Sequence, residues 1–310
     1  MCYSAMVREQ FDVFVHVTGA KISLPEFAQM YVRRAAGENI RIPRGLDRNF
    51  EHPHTPVERQ IREAIDRYRT AQIAGLEQEL FAQRRRLADA ERKLGVKVTK
   101  AATDSRRIAT NRVEAALKRL PLLKDFRPHP ADDRIFPFHF VPIVMRVNGE
   151  NVLRPARYHL RQPGQPASID RKFPGLYNAR RDNLTRFWRH QFGATHALML
   201  VDSFYENVDR EGRNVVLHFT PQPAGLMYVA CLVAQWQDPS GKEPDLLSFA
   251  AVTDDPPPEV AAAGHDRMIV NLDPQNIERW LTPEGRSLAE LQAILDARQR
   301  PFYQHEQIAA

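Results

Sequence analysis

Residues 195–206 read Thr195-His196-Ala197-Leu198-Met199-Leu200-Val201-Asp202-Ser203-Phe204-Tyr205-Glu206. An apolar run closed by aromatics and an acid predicts a hydrophobic strand with a carboxylate at its end. The stretch has company on both sides. FVPIVMRV (140–147), RPARYHL (154–160), VVLHFT (215–220), MYVACLVAQW (227–236), LLSFAAVT (246–253) and DRMIVNL (266–272) are also short and rich in β-branched and aromatic residues. Turn signals separate them: Asn148-Gly149, Glu211-Gly212-Arg213 and Asp238-Pro239-Ser240-Gly241. With short helices predicted at 184–191, about 275–280 and 283–298, residues beyond 130 read as a strand-rich α+β domain.

The first 130 residues have a different character. Residues 7–19 (VREQFDVFVHVTG) alternate roughly in polarity and predict one strand, or a strand with an irregular start. A short helix is expected near Pro25, then a loop rich in Pro, Gly and Arg. Thr55-Pro56-Val57-Glu58 supplies an N-cap, a proline at the first helical position and a capping-box acid. Ile61, Ile65, Tyr68, Leu76, Leu80, Leu87 and Leu94 follow at helical spacing, which predicts a helix from 55 to about 95. A second helix is expected over 103–120, ended by Pro121. The two together predict an antiparallel helical hairpin whose apolar stripe packs within the pair or onto the core. The organisation expected is a domain of residues 1–20 and 130–310 interrupted by a helical insertion at 21–129.

Charge is divided along the same line. The chain carries a net +6, yet residues 21–130 hold 24 Lys and Arg against 14 Asp and Glu. The remainder is therefore slightly acidic. A basic segment attracts nucleic acid phosphates, although a solvated helical face has the same composition. No apolar run reaches the length of a membrane span, and the amino terminus lacks the pattern of a secretion signal. Two cysteines, Cys2 and Cys231, point to a reducing compartment without structural disulfides, and a cytoplasmic location is expected. Cys231, inside an apolar run, reads as an inert strand residue.

Cys2 is the chemically distinctive residue. Removal of Met1 would leave an α-amine, with an ordinary pKa of about 7.7–8.0, beside a thiol. Such a 1,2-aminothiol condenses with an aldehyde through its amine and closes a thiazolidine ring through its thiol. Three further polar groups accompany it: Tyr177-Asn178-Ala179-Arg180-Arg181-Asp182-Asn183, the Tyr205-Glu206 pair, and Gly264-His265-Asp266-Arg267-Met268. A carboxylic acid and a histidine can move protons, an amide can orient an amine, and an arginine can bind phosphate.

The order and spacing of these pieces resemble the SOS-response-associated peptidase family, whose members shield abasic sites in single-stranded DNA. Members begin Met-Cys and later carry Asn-Ala-Arg-x-Glu-Thr, a Tyr-Glu pair and His-Asp-Arg-Met-Pro. The resemblance covers about residues 1–18 and 137–285. It implies an antiparallel, barrel-like sheet core and a catalytic set of Cys2, Asn178, Glu206 and His265. It further implies DNA contacts through Arg180, Tyr158, Arg157 and Arg267, with no metal and no cofactor. Departures surround that set. Tyr-Ser-Ala follows Cys2 in place of Gly-Arg-Phe, Asp182-Asn183 replaces Glu-Thr, and Tyr158 replaces a tryptophan. Each removes charge or stacking surface from the expected DNA groove, and the basic insertion is absent from compact members.

The activity implied is covalent capture of abasic sites through a thiazolidine on Cys2 after self-processing of Met1. Weak lyase activity by β-elimination is expected with it. The expected partner is abasic single-stranded DNA, with further DNA or protein contact through the insertion and none with membranes. Two alternatives use the same residues: an amino-terminal-cysteine peptidase or amidohydrolase, and a non-catalytic nucleic-acid-binding or protein-binding homologue.

Overall fold

The computed structural model describes residues 4–7, 10–125 and 127–308. In chain order its elements are β1 (Ser4–Val7), α1 (Phe11–Thr18), β2 (Lys21–Ile22), α2 (Leu24–Ala35), α3 (Pro56–Val96) and α4 (Lys100–Lys124). Then come β3 (Arg134–Ile135), β4 (Phe140–Val147), β5 (Glu150–Tyr158), α5 (Ile169–Lys172), β6 (Asn178–Arg180) and β7 (His196–Arg210). The chain finishes with β8 (Arg213–Gln222), β9 (Met227–Trp236), β10 (Leu246–Asp254), α6 (Pro258–Ala262), β11 (Met268–Ile269), α7 (Ile277–Leu281), α8 (Leu288–Asp296) and β12 (Phe302–Ile308). The α+β reading with a long helical hairpin holds.

All the described strands join one sheet. β10, β5, β4, β7 and β9 pair in a closed ring, since β9 bonds both β7 and β10. Pairing is antiparallel except where β5 and β6 run parallel to β10, and β2 parallel to β5. One apolar cluster fills the ring with Ile143, Tyr158, Met199, Phe204, Val229 and Phe249. A second lies between the outer sheet face and the helices, joining Leu198, Leu232 and Trp280 to Phe14, Phe27, Tyr31, Phe50, Ile61 and Ile65. Residues 24–65 thus share a core with the sheet.

Sequence and structure part company at several elements. Residues 7–19 predict a strand, but β1 ends at Val7 and residues 11–18 form α1. Phe11 and Phe14, three apart, are the side chains that α1 buries, and Gly19 closes it in the left-handed region at φ 64°. β-branched Val13, Val15 and Val17 favour a strand locally, and tertiary burial of the two phenylalanines overrides them. The 55–95 helix is observed as α3, with Thr55 and Glu58 forming the expected capping box. α4, however, runs to Lys124 through Pro121. The proline ring removes one bond, the one to Leu117, which is exposed.

Residues 184–191, expected as a helix, are turns. Leu184, Trp188 and Phe192 are buried at helical intervals, but the backbone bonds there mix three-, four- and five-residue spans. The strand expected over 266–272 is shortened to Met268–Ile269. His196 enters β7 stacked on Trp280, centroids 3.9 Å apart. Its Nδ1 lies 2.9 Å from the Trp280 carbonyl, and its Nε2 accepts from the Gly193 N–H at 2.9 Å. Because Nε2 accepts, the ring is neutral with its proton on Nδ1.

Candidate active site

A phase change in β7 creates the site. Ala197, Met199 and Val201 point into the ring while Leu198 and Leu200 point to the helices. Unbroken alternation would send residue 206 outward. Opposite β1, however, Met6 pairs with Ser203 and Val7 with Val201, so Asp202 is an extra residue in the ladder. The bulge flips the alternation, and Phe204 and Val208 now face inward. Glu206, between them, turns the same way and is fully buried. It does not end the strand, which continues to Arg210.

His265 reaches it from the loop that closes this end of the ring. Val260, Ala263, Met268 and Ile269 anchor that loop in the interior cluster. Gly264 adopts φ +98° and passes Val208, where a Cβ would lie 3.9 Å from the valine side chain. The turn delivers His265 Nε2 to 2.9 Å from Glu206 Oε2, with both side chains buried. On the other ring nitrogen, Nδ1 lies 2.8 Å from the Arg267 carbonyl oxygen. The Arg267 N–H also faces Nδ1, at 3.3 Å, so Nδ1 can donate to the carbonyl or accept from the amide, and Nε2 stands within proton-transfer distance of the carboxylate. The arrangement can therefore accept and return a proton within a water-poor pocket.

Asn178 and Arg180 stand near the same end of the sheet. β6 pairs in parallel with β10, with Asn178 beside Ala251 and Arg180 beside Thr253. On the other side of β10, Thr253 pairs with Ile269 of β11. Asn178 is buried, while the Arg180 side chain is 43% exposed and held by Asp182 through two bonds of 2.9 and 2.7 Å. Donating to Asp182 raises the Arg180 pKa above its ordinary value, so the shorter acid noted in the sequence pairs with a guanidinium that stays charged. Arg267 has its guanidinium 3.4 Å from Asp266.

Arg157 and Tyr158, paired with β10 at Ser248 and Phe249, turn their side chains to other partners. Tyr158 is buried, stacked on Phe249 at 5.3 Å and edge-on to Tyr177, so its ring faces the core. Arg157 is buried beside Arg161, and Asp170 accepts from both at 2.9 and 2.6 Å. Burial raises the Asp170 pKa, but the bonds from Arg161 and Arg157 outweigh it and leave a net lowering. Cys2 lies outside the described residues. Cys231, in β9, is buried, and its burial pushes the thiol far above the range in which it would ionise.

One group is not evident in the sequence. On the opposite face of β7, the Arg134 guanidinium lies 3.8 Å from the Tyr205 ring centroid, and Tyr205 stacks on His218 at 4.4 Å. Arg134 Nε donates to Ser4 Oγ at 3.1 Å, and His218 Nε2 is 2.8 Å from Ser203 Oγ. The stack ties the beginning of β1 to the segment of β7 that carries Glu206. Its only sequence signal is the period-two spacing of Ser203 and Tyr205. Among the described residues no three His, Cys, Asp or Glu side chains gather as metal ligands. None of the described helices is long and apolar enough to cross a membrane.

Residues 102–309 match the family model described as SOS response associated peptidase (SRAP), more than half of the chain. The chain belongs to the SRAP family. No curated protein matches it. Among solved structures, a protein from Bordetella bronchiseptica is 19% identical, with a TM-score of 0.47 over 59% of this chain and 90% of its own. A Bacteroides thetaiotaomicron protein is 17% identical, with a TM-score of 0.48 over 57% of this chain and 77% of its own. A phage-related protein from Bordetella bronchiseptica is 19% identical, with a TM-score of 0.43 over 57% and 81%.

Proposed function

We propose that this SRAP protein captures abasic sites in single-stranded DNA as a thiazolidine on Cys2, after Met1 is removed. Family membership supports an SOS-associated role in binding abasic sites. The observation that carries the finer reading is the buried Glu206–His265 pair at 2.9 Å, next to the start of β1. Ser4 pairs with Tyr205, the neighbour of Glu206. Only Tyr3 separates Ser4 from Cys2 in the chain, a reach of at most about 7 Å.

The chemistry follows from the groups present. The Cys2 amine adds to the open-chain aldehyde carbon of the abasic sugar and gives a carbinolamine. Loss of its hydroxyl as water needs a proton donor and leaves an imine. The Cys2 sulfur then adds to the imine carbon, its proton passes to nitrogen, and the thiazolidine closes with one water released overall. Glu206 and His265, 2.9 Å apart, are assigned the donation and its return. Asn178 is assigned the orientation of the amine, and Arg180 and Arg267 contact with flanking phosphates. Exchange of Asp182 for a phosphate would free Arg180 for that contact. Self-processing and weak lyase chemistry belong to the same site.

The mechanism requires a free amine, which intact mass measures directly. Purified protein is expected to lack the mass of Met1. Retention of Met1 throughout the population would overturn the mechanism, because an amide nitrogen does not form an imine.

A further inference from the structure

α3 leaves the shared core after Ile65, and from there to Val96 it extends about 45 Å at 1.5 Å per residue. α4 returns along it in the antiparallel sense, since Arg112 bonds Glu79, Arg86 bonds Ser105 and Lys124 bonds Glu77. The buried side chains of this section are small: Ala90, Ala102, Ala109 and Ala116. Alanines seven residues apart on α4 allow close approach to α3, so the arm is stiff without a bulky core.

Charge is unevenly placed along the arm. Its distal part, residues 81–112, carries ten Lys and Arg against three Asp and Glu. The proximal parts, 56–80 and 113–124, carry seven against six. All ten distal cations are exposed. Asp89 and Asp104 pair with Arg92 and Arg107, whereas no carboxylate among the described residues pairs with Arg84, Arg85, Lys93, Lys97, Lys100 or Arg106.

We infer that the distal hairpin is a second nucleic-acid contact, a basic arm that lies along the phosphate backbone of duplex DNA beside the single-stranded reaction site. The inference deepens the function proposed above by naming what flanks the lesion. Three observations favour duplex. The arm's length matches about 13 base pairs at 3.4 Å each, more than one helical turn. Tyr68 and Phe81 are its only aromatic residues, so it lacks the stacking platforms by which proteins hold single strands. Its exposed apolar side chains do not form a stripe for a partner helix: Val96 and Val98 sit at the tip, Phe81 stands fifteen residues from Val96, and Ile108 and Leu117, nine residues apart on α4, fall on opposite sides of that helix, with Leu122 near its end. Contacts of this kind are independent of sequence and strongly salt-dependent.

The test uses the full-length protein and two probes: a lesion-free fluorescent duplex, read by anisotropy, and a short single strand with one abasic site, read by adduct formation. The triple variant R84E/R85E/R86E alters exposed side chains only, and R84Q/R85Q/R86Q is its neutral companion. Reversal is expected to weaken duplex binding more than about tenfold and to flatten the log–log salt slope by about 3, near 0.9 per lost contact. The neutral variant is expected to fall between, with thermal unfolding and short-strand capture at wild-type levels. Unchanged duplex affinity in the reversed variant would overturn the inference and turn attention to a protein partner. Equal impairment on both probes would also overturn it. Failure of the wild type to form an adduct would count against the Cys2 reading, and the duplex measurement would still decide the arm.

Discussion

Glu206→Gln is expected to slow adduct formation with abasic DNA about 100- to 10,000-fold, the usual range for a lost general acid–base. Glutamine fills the same volume between Phe204 and Val208 and can donate its amide N–H to His265 Nε2. It cannot pass a proton on, so binding survives while the steps that release water and close the ring lose their donor. Single-turnover kinetics over a range of DNA concentrations separate the two effects: the maximal rate should fall while the half-saturating concentration stays within about twofold. A maximal rate equal to wild type would remove Glu206 from the chemistry. An unchanged maximal rate with weakened binding would recast it as a groove residue.

The second large effect is on stability below neutral pH. Burial lowers the His196 pKa from 6.5 to about 4, against a smaller opposing pull from the Trp280 carbonyl. Protonation would also cost the bond from the Gly193 N–H, because Nε2 could no longer accept. Between pH 6.5 and 4 the unfolded chain binds a proton at this position that the folded protein does not. Stability contributed here is therefore complete above pH 6.5 and falls as the pH drops towards 4, by about 1.4 kcal/mol per unit and about 3 kcal/mol in all. His196→Gln keeps a donor and an acceptor but does not titrate. Urea unfolding at pH 7 and pH 4.5 should show a smaller loss in this variant than in wild type. Equal losses would mean that the imidazole is already charged in the folded protein.

How far the sequence discloses the molecule depends on which interactions set each element. α3 is legible because its start is local: Thr55, Pro56 and Glu58 write the capping box within four residues. The strands beyond 130 are legible from their β-branched and aromatic content. α1 is not, since its valines prefer a strand and only the packing of Phe11 and Phe14 against Phe27 and Phe50 makes it a helix. Residues 184–192 carry a helical burial pattern that the backbone satisfies with irregular turns.

The site divides in the same way. The types and order of Asn178, Glu206 and His265 identify the family, yet the burial of Glu206 depends on the extra residue Asp202. That bulge exists only against β1, two hundred residues away in sequence. Arg157 and Tyr158 are motif neighbours whose side chains point into the structure, towards Asp170 and Phe249. Side-chain direction is a property of register, and a single sequence carries little information about it.

The central claim, covalent capture through Cys2, is tested most directly on a denaturing gel of the protein with a single-stranded oligonucleotide bearing one abasic site, beside Cys2→Ala. The account predicts a heat-stable shifted band for the wild type and none for the variant. A wild-type preparation that begins at Cys2 by mass and gives no band, or a band that persists in Cys2→Ala, would contradict it.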